Sequence, residues 1–490
     1  GFINMNFKFP NTPKEFEKFI ISNQSITIDE EIISLLISDR KVVEEAINSD
    51  TPVYGLNTGL GANLSYRIKA DEIQDFQKTL IEGRAVGTGK PFSESISKGI
   101  LLSRIISASK GQSGISIPTY KYLINFWNND LASVVPEIGS IGAGDLTQNA
   151  HFALGLMGLS DIWMRGVNVS GPLALKQKEL PPLKLAPKDA LALINHKGVS
   201  LSVSALALAK ARNLYLSLEI VINASLEGFQ ANISIFSEAI NSDRLESGQT
   251  LVAEEFRNRL KGGVINHRRV QDALSFRTIA PVLGVLKQAI NRADLLWIED
   301  LNSSADNPAV INNELISTPN FHSIALSFQL EAVSLAVSAV ASASVQRIQR
   351  MMSPDLSGLP KYLSPIGGGS AGMVPIQKTA GALLGRVRHA ATPIAFDPSP
   401  VSDSIEDLAP MTSEVAKKLL NQLDDFRLII AIEGMVAAQA VDLRDDLVCS
   451  DSTIDFLSKL REKAPKLVED RALGPDIHKT ALILDQLSQS

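Results

Sequence analysis

The scarcest residue in this 490-residue chain is cysteine, with Cys449 alone. One thiol excludes a disulfide framework and any cysteine-rich zinc or iron–sulfur site, and it fits a reducing cytoplasm. A basic excess is also missing. Lys and Arg number 47 against 53 Asp and Glu, a net charge of −6, so no strong positive field exists to attract nucleic acid or an anionic membrane. Six histidines, His151, His196, His267, His322, His389 and His478, are scattered without zincin spacing, and no metal site is expected. No apolar run reaches about 18 uncharged residues, so no membrane span is expected. Gly1–Pro10 lacks a basic stretch followed by an apolar one, so no secretory signal is read and Met5 is expected to be the natural start. A P-loop and a nucleophile elbow are absent, and the Gly-X-Gly pieces at 87–89 and 142–144 do not follow strands, which removes a Rossmann reading.

What is present is helix. Hydrophobic residues make up 45% of the chain but aromatic ones only 6%, and stretches rich in Ala, Leu, Ser and Ile repeat apolar positions every three or four residues. Three of these, 199–228, 321–352 and 412–445, run far beyond the roughly 11–12-residue average helix. They predict a mainly α fold with a long-helix central bundle. Strand signals are confined to short candidates near 51–54 and 308–317. Three consecutive regions are expected: 1–190 with the glycine-rich loops, 191–350 as the long-helix core, and 351–490 as a C-terminal helical region.

Gly- and Pro-rich patches at 51–63, 83–91, 136–144, 357–375 and 392–400 interrupt the helices, and such loops are where backbone groups become free to bind. Val53-Tyr54-Gly55-Leu56-Asn57-Thr58-Gly59-Leu60-Gly61 places a phenol inside a glycine-studded turn. Gly139-Ser140-Ile141-Gly142-Ala143-Gly144-Asp145 runs from a small-residue loop into a helix, with Asp145 where an N-cap belongs. A free loop at a helix N-terminus is a place to hold an electrophile or anion.

At this point the chain resembles the aromatic amino-acid ammonia-lyase and aminomutase family, over about residues 25–445. The 53–61 loop and the 139–151 segment carry the likeness, together with Lys110-Gly111-Gln112-Ser113-Gly114 and Ala192-Leu193-Ile194-Asn195. Val270-Gln271-Asp272, Ser275-Phe276-Arg277, Asp306-Asn307-Pro308, Asn320-Phe321-His322 and Ser357-Gly358-Leu359-Pro360 follow in the family's order. The resemblance implies a homotetramer whose sites draw on several subunits, and a small amino-acid-like substrate; the lone cysteine makes the expected location cytoplasmic. It implies that Tyr54 is the base, that Ala143 and Gly144 belong to the electrophile loop, and that Asn195 and Gln271 line it. Arg277 would pair with the substrate carboxylate, a task suited to a bidentate guanidinium, and Asn307 and Phe321 would be further pocket residues. Tyrosine ionises near pH 10, so its surroundings must make Tyr54 more acidic, and Arg84 or Arg386 could contribute.

Departures from the family pattern are as informative. Its members build a methylidene-imidazolone from Ala-Ser-Gly, and here no serine stands between Ala143 and Gly144. Without a hydroxyl or thiol no exocyclic methylene can form. The implied cofactor is therefore a methylidene-imidazolone from the 143–144 loop if the missing serine is an effect of recording, and none otherwise. Writing the modified tripeptide as one residue would remove two letters, and one is absent. The family tyrosine before Ser-X-Arg is replaced by Leu274, the selectivity position reads as Arg84, and the Glu or Gln of the amine pocket reads as Arg386. Gly369 replaces an Asn, and His196 follows Asn195 in place of Gly.

Three readings follow. The first is an amino-acid C–N lyase or aminomutase with Tyr54 as base, acting on a substrate other than the standard His, Phe or Tyr. The second is an electrophile-free enzyme on the same scaffold, using Tyr54 and an arginine-lined pocket (Arg84, Arg277, Arg386) for an anionic or strongly polar substrate. The third is a non-catalytic binding protein, disfavoured because buried polar residues without a task cost folding energy.

Overall fold

A computed structural model describes residues 9–49, 52–53, 56–58, 72–396 and 400–489. The chain is mostly helical, and it divides into two compact units. One contains residues 1–208, 294–328 and 394–417; the other contains 209–293, 329–393 and 418–490. The division therefore does not follow three consecutive regions. Each unit is assembled from stretches far apart in sequence, because long helices run on from one unit into the other.

The three long helices expected from periodicity are Gly198–Phe229, Ile324–Met351 and Thr412–Asp442. Within the second unit one buried cluster ties all three together. Glu433 accepts from Arg347 through Nε at 2.6 Å and Nη2 at 3.0 Å, from Ser225 at 2.9 Å, and from the Ser344 hydroxyl. The sequence places Arg347 near a helix C-terminus, where a dipole role is expected; the structure gives it this fully buried carboxylate instead. By length and composition the helix Ile324–Met351 and the 189–229 segment could each cross a membrane, and 94% of the most apolar window of the latter is buried inside the protein.

In the first unit the helix Leu146–Leu156 lies against the short helix Asp189–Ile194. Trp297 donates its indole N–H to the Leu201 carbonyl at 2.9 Å and meets Phe16 edge-on at 5.2 Å. Strands are short. Thr88–Pro91 pairs antiparallel with Pro136–Ile138, so the 83–91 loop is attached to the segment that leads into Gly139. Ala309–Ile311 and Glu314–Ile316 form a hairpin where strand was expected. Its two turn residues, Asn312 and Asn313, both have positive φ, the geometry that matches strand twist. The other strand candidate, 51–54, includes Thr51 and Tyr54, which lie outside the described residues.

Candidate active site

The turn Gly142-Ala143-Gly144-Asp145 is held from several directions. Gly142, Gly144 and Asp145 have φ of 80°, 89° and 49°, so left-handed backbone is concentrated here. The Gly144 carbonyl accepts from the His196 backbone N–H at 3.1 Å and from the Asn149 side-chain amide at 3.2 Å. The same amide reaches the Ile194 and His196 carbonyls at 3.0 and 2.8 Å. Ala143 forms an antiparallel bridge with His322, whose ring meets the Leu408 carbonyl at 3.0 Å. On the N-terminal side the Met411 N–H donates to Ile141 at 2.8 Å.

Asp145 stands at the N-cap position of its helix without capping it. Its left-handed backbone turns the carboxylate elsewhere. It accepts from the Ser140 hydroxyl at 2.5 Å, the Ser200 N–H at 2.8 Å and the Ser200 hydroxyl at 3.0 Å. Burial raises the Asp145 carboxyl above its ordinary range, and those hydrogen bonds act the other way.

Asn195 is the hinge of the cluster. Its side chain donates to the Asn307 carbonyl at 3.3 Å, while its oxygen faces Gly144. Asn307 in turn accepts from the Thr318 N–H at 2.9 Å. Behind it, the fully buried Arg104 reaches Asp306 at 2.8 Å, and Ser304 adds a hydrogen bond at 2.9 Å. His196 is locked as a neutral ring: Nδ1 accepts from the Gly198 N–H at 3.1 Å, so the proton sits on Nε2 and is directed to the Leu193 carbonyl at 2.9 Å. Burial holds its pKa well below the usual histidine value.

Of the residues expected from sequence, Ala143, Gly144, Asn195, Asn307 and Phe321 come together in the first unit; the Phe321 Cβ lies 3.7 Å from where a Gly144 Cβ would stand. Tyr54 lies outside the described residues. Arg84 directs Nη1 to the Leu80 carbonyl of the preceding helix at 3.4 Å. Gln271, Arg277 and Arg386 belong to the second unit. Gln271 and Arg277 are exposed. Arg386, on the helix Ile376–Ala390, has a side chain 71% exposed and ion-pairs with Asp425 at 2.9 Å, so a carboxylate already occupies the guanidinium assigned to an anionic substrate.

Sequence reading missed the residues that close the site. A cavity of about 280 Å³ is bounded by Gly139–Ile141, Ala143 and Asp145–Thr147 on one side and by Val401, Ser402 and Glu406 on the other. The Val401 and Glu406 backbones exchange hydrogen bonds at 3.0 and 3.2 Å, and the Ser402 hydroxyl donates to the Glu406 carboxylate. Both ionisable lining residues are acids; the Asp145 carboxylate is buried against Ser140 and Ser200, which leaves Glu406 to give the cavity a sign that suits a cationic guest. The acidic spacing Asp403, Glu406, Asp407 in a non-helical stretch was the available signal. Asn149 gave none, because an Asn inside a helix reads as neutral.

The residues present do not fit a methylidene-imidazolone. A Cβ added to Gly144 would stand 2.3 Å from the Asn195 side-chain oxygen, at a φ that L side chains rarely adopt. The turn supplies no hydroxyl or thiol to eliminate, and without one no exocyclic methylene can form.

His151, on the helix that opens at Asp145, accepts from the Gly87 N–H through Nε2 at 3.0 Å, and burial lowers its pKa. An unfolded histidine takes its proton near pH 6.5, so between there and its lower folded value the unfolded state binds more protons. Stability from His151 is therefore present above pH 6.5 and lost as pH falls through the folded pKa. We expect His151→Gln, which keeps an acceptor that does not titrate, to shallow the acid fall in stability measured by urea denaturation from pH 7 downwards. An unchanged slope would remove this role.

The sequence model for aromatic amino acid lyases matches residues 12–462. The chain belongs to the aromatic amino acid lyase family. With it, the protein joins the carbon–nitrogen lyases. It is 32% identical to histidine ammonia-lyase of Natranaerobius thermophilus over 480 residues, 96% of this chain and 94% of that protein. Among solved structures it resembles the ergothioneine degrading enzyme ergothionase of Treponema denticola, in complex with desmethyl-ergothioneine sulfonic acid. The TM-score is 0.93 at 27% identity, covering 98% of this chain and 97% of that one. Phenylalanine aminomutase of Pantoea agglomerans gives a TM-score of 0.92 at 25% identity, covering 96% of both chains.

Proposed function

We propose that this member of the aromatic amino acid lyase family eliminates a tertiary amine from a histidine-derived betaine, without an electrophilic prosthetic group. The observation that carries this reading is the serine-free Ala143-Gly144 turn, which has no hydroxyl to eliminate. An α-ammonium group is a poor leaving group, and within this family an electrophile activates it. A quaternary trimethylammonium departs as neutral trimethylamine and needs no such help. Ergothioneine, a betaine whose α-nitrogen bears three methyl groups, has that chemistry, and an ergothioneine-degrading enzyme is among the structural relatives. The acid-lined cavity beside Ala143 supplies a cation site of suitable sign.

In this reading Tyr54 takes a proton from the β-carbon and the C–H electrons form the Cα–Cβ double bond. The C–N electrons leave with trimethylamine, which collects the proton. Arg277 holds the carboxylate. Gln271 and Arg277 reach the Ala143 turn on assembly of a cytoplasmic homotetramer.

Two measurements test this. Offered ergothioneine and histidine separately, the enzyme should release trimethylamine from the first and no ammonia from the second. Its intact mass should equal that of the unmodified sequence. Efficient ammonia release from histidine, or a mass deficit of two waters, would return the chain to electrophile-dependent chemistry.

A further inference from the structure

Three guanidiniums in the second unit converge on the short turn 354–360. Arg444 donates through Nε to the Gly228 carbonyl at 2.7 Å and through Nη2 to the Ser357 carbonyl at 2.6 Å. Arg269 donates to the Leu356 carbonyl at 3.0 Å and to the Asp355 carbonyl. Arg268 lies flat against Gly358, its guanidinium carbon 2.3 Å from the position a Cβ would take there. Among the described residues none of the three forms an ion pair, whereas most other arginine side chains tied down here meet an acid, as in Arg347–Glu433, Arg427–Asp485 and Arg461–Asp442. Carbonyl dipoles satisfy hydrogen-bonding capacity without cancelling charge. The like charge of Arg268, added to burial, makes Arg444 easier to deprotonate than usual.

We infer that Arg268, Arg269 and Arg444 form an oxyanion-binding site over the Ser357–Gly358 peptide, suited to phosphate or a phosphate-bearing small molecule. Guanidiniums present donors in the fork geometry that tetrahedral and planar oxyanions accept. Their existing bonds to carbonyls hold Arg269 and Arg444 in place before any ligand arrives. Gly358 gives Arg268 its seat, since any side chain there would collide with the guanidinium. The site owes nothing to the Ala143 turn, and its test does not need the enzyme's substrate.

Inorganic phosphate is the probe. In calorimetry on the full-length assembled protein, phosphate should bind saturably. It should also raise the thermal midpoint beyond what chloride achieves at equal ionic strength. Arg268→Gln, an exposed position, should weaken phosphate binding at least tenfold while leaving the phosphate-free midpoint unchanged or higher, because it removes a like charge. Arg444→Lys should also weaken binding, and comparison with a phosphate monoester would separate free phosphate from a phosphorylated metabolite. The inference fails if chloride matches phosphate, which would mean an adventitious ion only, or if Arg268→Gln binds as the parent does. It fails equally if sedimentation shows that Arg268→Gln dissociates the assembly, because the anion would then be a carboxylate of a second copy.

Discussion

Glu406→Gln should raise KM for the betaine substrate and leave kcat unchanged or higher. Glu406 lines the cavity beside Ala143 and shares it with Asp145, with no basic residue on its walls. A carboxylate and a quaternary ammonium 4 Å apart interact by about 1–4 kcal/mol for effective dielectrics of 80 to 20, so KM should rise about five-fold to a thousand-fold. The charge on nitrogen is complete in the bound substrate and disappears as trimethylamine leaves. Glu406 therefore stabilises the ground state more than the transition state, and its removal should not slow the chemical step. Glu406→Asp should retain most of the affinity. A fall in kcat at constant KM would show that Glu406 acts on the reaction itself and would sink its assignment as the cation's counter-charge.

The largest effect on stability should come from Glu433→Gln. Glu433 and Arg347 are both fully buried, and the carboxylate accepts from Arg347, Ser225 and Ser344 on two other long helices. Gln strands the guanidinium in the interior, which typically costs about 3–5 kcal/mol. Urea denaturation would register that as a lower midpoint. Replacing both partners, Glu433→Leu with Arg347→Met, should recover much of the loss, since a well-packed apolar pair avoids burying charge at all. A single-variant loss below about 1 kcal/mol would mean that water reaches the pair and that it does not clamp the three helices.

The two substitutions probe parts of the molecule that differ in how well sequence announces them. The helices carrying Ser225, Arg347 and Glu433 are legible from periodicity, since apolar residues at three- and four-residue spacing dictate which face is buried. Which polar residues on those faces meet is not legible. Arg347 looks like a dipole-satisfying cation until Thr412–Asp442 brings Glu433 against it. Arg386 looks like a pocket residue, and Asp425, 39 positions later, takes its guanidinium.

The sequence by itself determined the mainly α class, the approximate span of the three long helices, the 308–317 hairpin, membership of the family and the absence of a serine at 143–144. These are local properties, written in consecutive residues or short motifs, and they survive any arrangement of the chain in space. Only the tertiary structure decided that Asn149 ties the Gly144 carbonyl to the 194–196 backbone, that Asp145 turns away from its own helix, and that Glu406 gives the neighbouring cavity its negative sign. Those outcomes rest on contacts between residues tens to hundreds of positions apart, and on a left-handed backbone at Asp145. Hydrogen-bond geometry across such separations is set by how helices and loops pack, which no spacing in the sequence encodes.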